Sequence, residues 1–193
     1  MLHKRSNQTA GYTTIELLVI VVIVAILAAM AAPGWLGFLT RQRLNAAQAE
    51  ATVALREVQA NAKREKRVWQ ACFRDDGTRV MWAVRPRPLA NGQAGCNTAT
   101  NWQNITQSDA DKIAIDNSRS TSELLQNGSY RIEFEHKGLL SRDPVTGRFP
   151  LGTITFIARG QPNSTGRCVA IETILGTTRV GTGDECRLPT PQP

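Results

Sequence analysis

Gly11-Tyr12-Thr13-Thr14-Ile15-Glu16-Leu17-Leu18-Val19-Ile20 is the stretch that decides how this chain is read. Glu16 stands at the head of an unbroken apolar run, Leu17 to Ala32, and ahead of it lies a short leader, Met1–Gly11, with His3, Lys4 and Arg5 and no acid. A spanning helix needs roughly 20 mostly apolar residues, and Tyr12–Ala32 supplies them. Basic residues at the N-terminal flank set that end in the cytoplasm and the remainder outside. A carboxylate at the edge of such a segment is costly and by default marks function, with a partner to be named. The partner indicated is a positive charge near the membrane surface. Were the chain cut after Gly11, the new α-amino group of Tyr12 on a neighbouring copy would supply it.

These residues resemble the type IV pilins and type II secretion pseudopilins. The prepilin pattern of that family reads Gly, then usually Phe-Thr-Leu-Ile-Glu, then an apolar helix. Here it is Gly11, then Tyr12-Thr13-Thr14-Ile15-Glu16, with Tyr for Phe and Thr for Leu. The resemblance covers about the first quarter of the chain. It implies cleavage after Gly11 by a prepilin peptidase on the cytoplasmic side and N-methylation of Tyr12. It also implies an assembly salt bridge from Glu16 to the Tyr12 amine of an adjacent subunit. Pro33 falls where many pilins carry a helix-bending proline. The partners implied are other pilin subunits, the bacterial inner membrane, the peptidase and the assembly platform.

Two plainer readings share the same topology. An ordinary signal peptide has an apolar core of roughly 7–15 residues followed by a small-x-small cleavage site. Ala29-Met30-Ala31 would pass as that site, but the apolar run is too long and an acid at its head has no role there. An uncleaved anchor fits the length and leaves Glu16 unexplained. The expected organisation is a leader at 1–11, a transmembrane and filament-core helix at 12–33, an amphipathic outer helix at 34–67 and a β-sheet domain at 68–193.

Subtracting leader and anchor from 193 residues leaves one exported domain of ordinary size. The formal charge is +7; without Lys4 and Arg5 the processed chain keeps 21 basic against 16 acidic side chains. Such an excess suits anionic surfaces or polyanions without proving contact. Cys72, Cys96, Cys168 and Cys186 all lie beyond the anchor, and an even count in an exported domain reads as two disulfides. Of three connectivities, Cys72–Cys96 with Cys168–Cys186 closes the shorter loops. The spacings lack the close pairs of a zinc site, so no metal is expected.

Beyond Pro33, whose ring bends a helix, Leu36, Thr40, Leu44, Ala47, Ala51, Leu55, Val58 and Ala62 recur at spacings of three and four. They line one face of a helix. Arg41, Arg43, Gln48, Glu50, Arg56 and Glu57 between them read as its solvated side. Lys63, Arg64, Lys66 and Arg67 crowd the last turn, where cations favour the negative end of the helix dipole.

From Val68 the pattern changes. Val68–Phe73 and Arg79–Val84 flank Asp75-Asp76-Gly77-Thr78, which signals a hairpin. Arg85–Ser129 reads as a long exposed excursion with short elements near Trp102–Thr106 and Lys112–Ile115, available for contacts with other subunits. Tyr130–Glu135 alternates as a half-buried strand. Further strands are expected at Ile154–Ala158, Arg167–Ile174 and Thr177–Gly181, with a loose Pro-rich tail from Leu188.

One long helix followed by an antiparallel sheet is an α+β fold. It agrees with what the resemblance implies, and within that family it is most similar to minor pilins of the FimT/GspH group. Catalysis has little support. His3 sits in the leader and His136, beside Lys137-Gly138, reads as a turn residue without a nucleophile or orienting acid, and no phosphate loop or His-Glu-x-x-His motif occurs. The chain is read as no enzyme and as needing no cofactor.

The expected function is therefore a minor pilin or pseudopilin, placed in the priming or tip complex of a type IV pilus or a type II secretion pseudopilus. The alternative is a receptor for double-stranded DNA during natural uptake. Arg159, Arg167, Arg179 and Arg187 fall in the last strands and their loops, where they could converge on phosphate backbones. Some FimT-like pilins bind DNA through a C-terminal Gly-Arg-x-Arg pattern. Here Gly176-Thr177-Thr178-Arg179 retains only the second arginine, and Asp184 and Glu185 weaken the local field.

Overall fold

The computed structural model describes residues 11–87, 95–142, 147 and 149–187, without the side chains of 31–33, 97 and 98. Most of the leader, the Pro-rich tail and the side chain of Pro33 therefore lie outside the described residues. The chain divides into two compact units, Met1–Leu39 and Thr40–Pro193. A helix of 52 residues, α1 (Thr14–Glu65), contributes to both.

In the first unit α1 is apolar all round, and from Ile15 to Leu27 every large hydrophobic side chain is about half exposed or more. No single helix among the described residues is long and apolar enough to cross a membrane; Thr14–Met30 and Gly34–Glu65 together meet that test by length and composition.

In the second unit the expected stripe is realised from Leu44 onward. Leu44, Ala47, Ala51, Leu55, Val58 and Ala62 are buried, as is Ala54, whereas Leu36 is exposed. Small alanines let the sheets approach the helix backbone closely. Gln48, expected on the solvated side, turns inward: its Nε2 donates to the carbonyls of Cys168 (2.7 Å) and Gly181 (2.9 Å). Its position beside Ala47 and Ala51 leaves room for an amide to reach strand carbonyls. The helix stops at Lys66, which takes the left-handed conformation (φ 52°) that commonly closes helices.

Among the described residues the strands are β1 (Trp69–Asp75), β2 (Val80–Pro86), β3 (Gln103–Asn104), β4 (Ile113–Ile115), β5 (Glu123–Leu124), β6 (Ser129–Phe134), β7 (Gly152–Ala158), β8 (Arg167–Ile171) and β9 (Thr178–Thr182). They form two antiparallel sheets, β3-β2-β1-β6-β5 and β4-β7-β8-β9, where one was expected. The break falls between β6 and β7, which are consecutive in the chain yet do not pair. The inner faces of both sheets share one core with α1, in which Phe73, Phe134 and Phe156 are fully buried. Truncating such a ring to alanine typically costs about 3–5 kcal/mol.

The β1–β2 hairpin forms as expected. Asp76 Oδ1 accepts the amides of Thr78 and Arg79 and the Thr78 hydroxyl, and Gly77 takes φ 88°. The segment after β2 differs from expectation. Instead of an exposed excursion it packs Ile105, Ala110, Ile113 and Ile115 into the core, and β4 joins the second sheet beside β7. β6 is buried on both faces rather than half-buried, because Glu133 on its outer side is covered. There Glu133 accepts from Gln70 Nε2 (2.5 Å) and lies 3.3 Å from Arg87 and 3.4 Å from Arg131. Burial pushes its carboxyl up, against the pull of Arg131, Arg87 and Gln70.

Candidate functional site

The chemistry-bearing N-terminus is built on the first turn of α1. Thr13 Oγ1 accepts the Glu16 amide at 3.3 Å, and Leu17 N–H donates to the Thr13 carbonyl at 3.2 Å. Thr13 is thus the cap, and Thr13-x-x-Glu16 is the spacing of a capping box, a signal present in the sequence but passed over there. Glu16 also sits where a helix dipole favours a negative charge. Capping explains why an acid is tolerated at this position, yet the Glu16 side chain remains exposed. Among the described residues no cation meets its carboxylate.

Two neighbours frame it. Tyr12 is 79% exposed, so its ring is largely uncovered among the described residues. Gly11 has open space around it: a Cβ there would meet no atom within 4 Å, and its φ is not in the left-handed range. The fold therefore gives no steric reason for glycine at position 11. The glycine of Gly176-Thr177-Thr178-Arg179 differs. Gly176 takes φ 74°, and a Cβ there would come within 2.4 Å of the Phe134 ring. Its glycine is accounted for by packing, which removes it as support for the Gly-Arg-x-Arg comparison.

The four arginines do not gather into one patch. Arg159 is a tie between sheets: Nη2 donates to Asp75 Oδ1 (2.8 Å) and the Ile113 carbonyl (2.6 Å), Nη1 to the Gly77 carbonyl (2.9 Å) and Nε to the Asp111 carbonyl (3.0 Å). Arg167 donates to the Thr182 hydroxyl. Arg179 donates to Glu172 Oε1 (2.5 Å) and the Glu185 carbonyl (2.9 Å). In the β8–β9 register Arg167 pairs with Thr182 and Arg179 with Ala170, so the two emerge on opposite faces of the sheet. Arg187 is exposed.

Both disulfides close as the loop lengths favoured. Cys72–Cys96 spans a Cα–Cα distance of 5.5 Å and holds residues after β2 against the outer face of the first sheet, where Cys72, Ala83 and Cys96 form a second small core. Cys168–Cys186 spans 5.6 Å and ties β8 to the turn following β9. His136 is exposed. Among the described residues no group of three or more His, Cys, Asp or Glu is placed to hold a metal.

No family model and no curated protein matches the chain. Among solved structures it is similar to the Pseudomonas aeruginosa type IV minor pilin FimU in two crystal forms. The first is 13% identical with a TM-score of 0.46, covering 75% of this chain and 92% of that one. The second is 14% identical with a TM-score of 0.39, covering 71% and 90%.

Proposed function

We propose that this chain is a minor pilin or pseudopilin, held in the bacterial inner membrane, cut after Gly11 and inserted into a periplasmic or surface filament. The observation that carries this reading is Glu16: one exposed carboxylate, unpaired among the described residues, at the head of an apolar helical segment whose large side chains from Ile15 to Leu27 are about half exposed or more. Exposed apolar surface of that extent calls for cover by lipid or by other chains. An unpaired acid beside it calls for a cation, which the freed Tyr12 amine of a neighbouring subunit provides. Residues 12–33 then serve as anchor and filament core, and 68–193 as the outward domain. Placement in a priming or tip complex is part of the same proposal. A DNA receptor on this scaffold ranks second, because Arg159 and Arg179 spend their charge on internal carboxylates.

Replacing Glu16 tests the reading. Glu16→Ala removes a costly charge, so it should still insert in the membrane and yet fail to enter filaments, as should Glu16→Gln. Incorporation of both at the wild-type level, followed by sheared-filament immunoblotting, would sink the pairing mechanism.

A further inference from the structure

The second sheet ends in β9, which has β8 on one side and no strand on the other. Which of its backbone groups face outward follows from the bonds at the two ends of the ladder. Gly183 N–H donates to the Gly166 carbonyl and Glu172 N–H to the Thr177 carbonyl. In an antiparallel pair, mutually bonded positions alternate with unbonded ones. Residues 177, 179, 181 and 183 therefore bond to β8, and Thr178, Val180 and Thr182 point their N–H and C=O groups away from it. Thr182 N–H is satisfied by Glu185 Oε2 at 3.0 Å. Among the described residues nothing meets the backbone groups of Val180 that face the open side.

Such an edge is ordinarily guarded by proline, lysine or a bulge. Here the outward positions are Thr, Val and Thr, and Val180 is 54% exposed. Beside the edge runs a groove of about 290 Å³ between α1 and the β8–β9 loop, lined by Leu55, Arg56, Gln59, Leu175, Gly176 and Thr178 among others.

We propose that the β9 edge pairs antiparallel with β9 of a second copy of this chain, with Val180 on the two-fold axis. The strand is self-complementary in that register. The Val180 residues exchange two backbone bonds, and at each end the partner's Thr178 carbonyl takes the Thr182 N–H in place of the Glu185 carboxylate, which swings out, while Thr178 N–H donates to the Thr182 carbonyl. Arg179 falls opposite glycine, Gly181 of the other copy, so no like charges meet. Continued past the strand, the register sets Asp184 of one copy at Gly176 of the other, beside Arg56. Neither the Asp184 carboxylate nor the Arg56 guanidinium has a partner among the described residues, so each supplies what the other lacks. The inference rests on the second unit alone and does not depend on the filament reading.

Sedimentation of the full chain in detergent micelles over a concentration series tests it, with hydrogen exchange at the Val180 amide. A reversible dimer is expected, with Val180 exchange slowing as concentration rises. Val180→Pro removes an N–H that β8 does not use, and a proline is tolerated on an edge. Val180→Lys sets two like charges face to face on the axis. Val180→Pro should raise the dimer dissociation constant at least about tenfold, as loss of the two backbone bonds on the axis implies, and Val180→Lys should raise it through the repulsion. A monomer throughout would overturn the proposal. So would a dimer indifferent to both variants, which would place association on the apolar helix. Protection of Val180 only when a different protein is added would assign the edge to another partner.

Discussion

Arg159 and Asp75, 84 positions apart in the chain, meet at 2.8 Å and join the turn of the β1–β2 hairpin to the end of β7. Asp75 completes the junction by accepting the Ile115 amide at 3.1 Å through its other oxygen. One guanidinium thus bridges the end of β7, the β1–β2 hairpin of the first sheet and β4, a structural task for a residue whose position in the chain suggested nucleic-acid contact.

Removing that bridge should loosen the domain. Arg159→Ala leaves Asp75 and three carbonyls short of a donor and should cost roughly 2–4 kcal/mol, given charged hydrogen bonds of this kind. Arg159→Lys should recover only part, because an ammonium cannot serve the same planar fork of acceptors. Denaturant unfolding followed by tryptophan fluorescence reads both.

The first unit predicts processing. A mature N-terminus at methylated Tyr12 is expected by intact mass from the native host. A start at Ala32 or beyond would mean an ordinary signal peptide and end the filament reading. Gly11→Val should block cleavage while leaving the fold unchanged, since space for a side chain is open there.

DNA binding should be weak or absent at physiological salt. Each lysine or arginine on a phosphate adds roughly 0.9 to the log–log salt slope on duplex DNA. With Arg159 and Arg179 engaged internally, a small slope is expected in a gel-shift series at low and moderate salt. Tight binding that survives moderate salt and vanishes in both Arg179→Ala and Arg187→Ala would make DNA uptake the primary function.

Two carboxylates should shape stability against pH in opposite senses. The Thr78 hydroxyl and the Arg79 amide, before other causes, hold the Asp76 carboxyl down, from 3.8 to about 2. A lowered folded value stabilises above the unfolded one and is lost as pH falls, here from about 4 toward 2. Glu133 is raised by burial, so its protonated form favours the fold and its contribution declines as pH rises through the raised value. Asp76→Asn should flatten the acid limb of a melting-temperature profile and leave the rise-side decline untouched.

How much of this was legible beforehand depends on the range of the forces involved. α1 and the β1–β2 hairpin were readable because the alanine-leucine stripe and the Asp75-Asp76-Gly77-Thr78 turn act within a few residues. The division into two sheets was not, because nothing local forbids β6 from pairing with β7. That outcome is decided by β1 and β5 flanking β6, while β4 and β8 flank β7. Gln48 carried a polar label on a mostly apolar helix face, and only the carbonyls of residues more than a hundred positions away turn it inward. At the N-terminus the Thr13-x-x-Glu16 spacing was readable as a cap from the start. What the structure adds there is that Glu16 and Tyr12 stay uncovered and that Gly11 has no packing reason to be glycine.

The Gln48 link has a mechanical meaning. Within the second unit the amide joins α1 to the carbonyls of Cys168 and Gly181 on two adjacent strands, so the helix cannot slide along them without breaking both bonds. Those strands are shut by Cys168–Cys186, and the first sheet by Cys72–Cys96. The covalent loops enclose sequence separations of 18 and 24. At full extension they would otherwise release roughly 60 and 80 Å of slack. Under tension those two segments therefore stay closed, and the domain would give up length only through the stretches between them, such as residues 97–167.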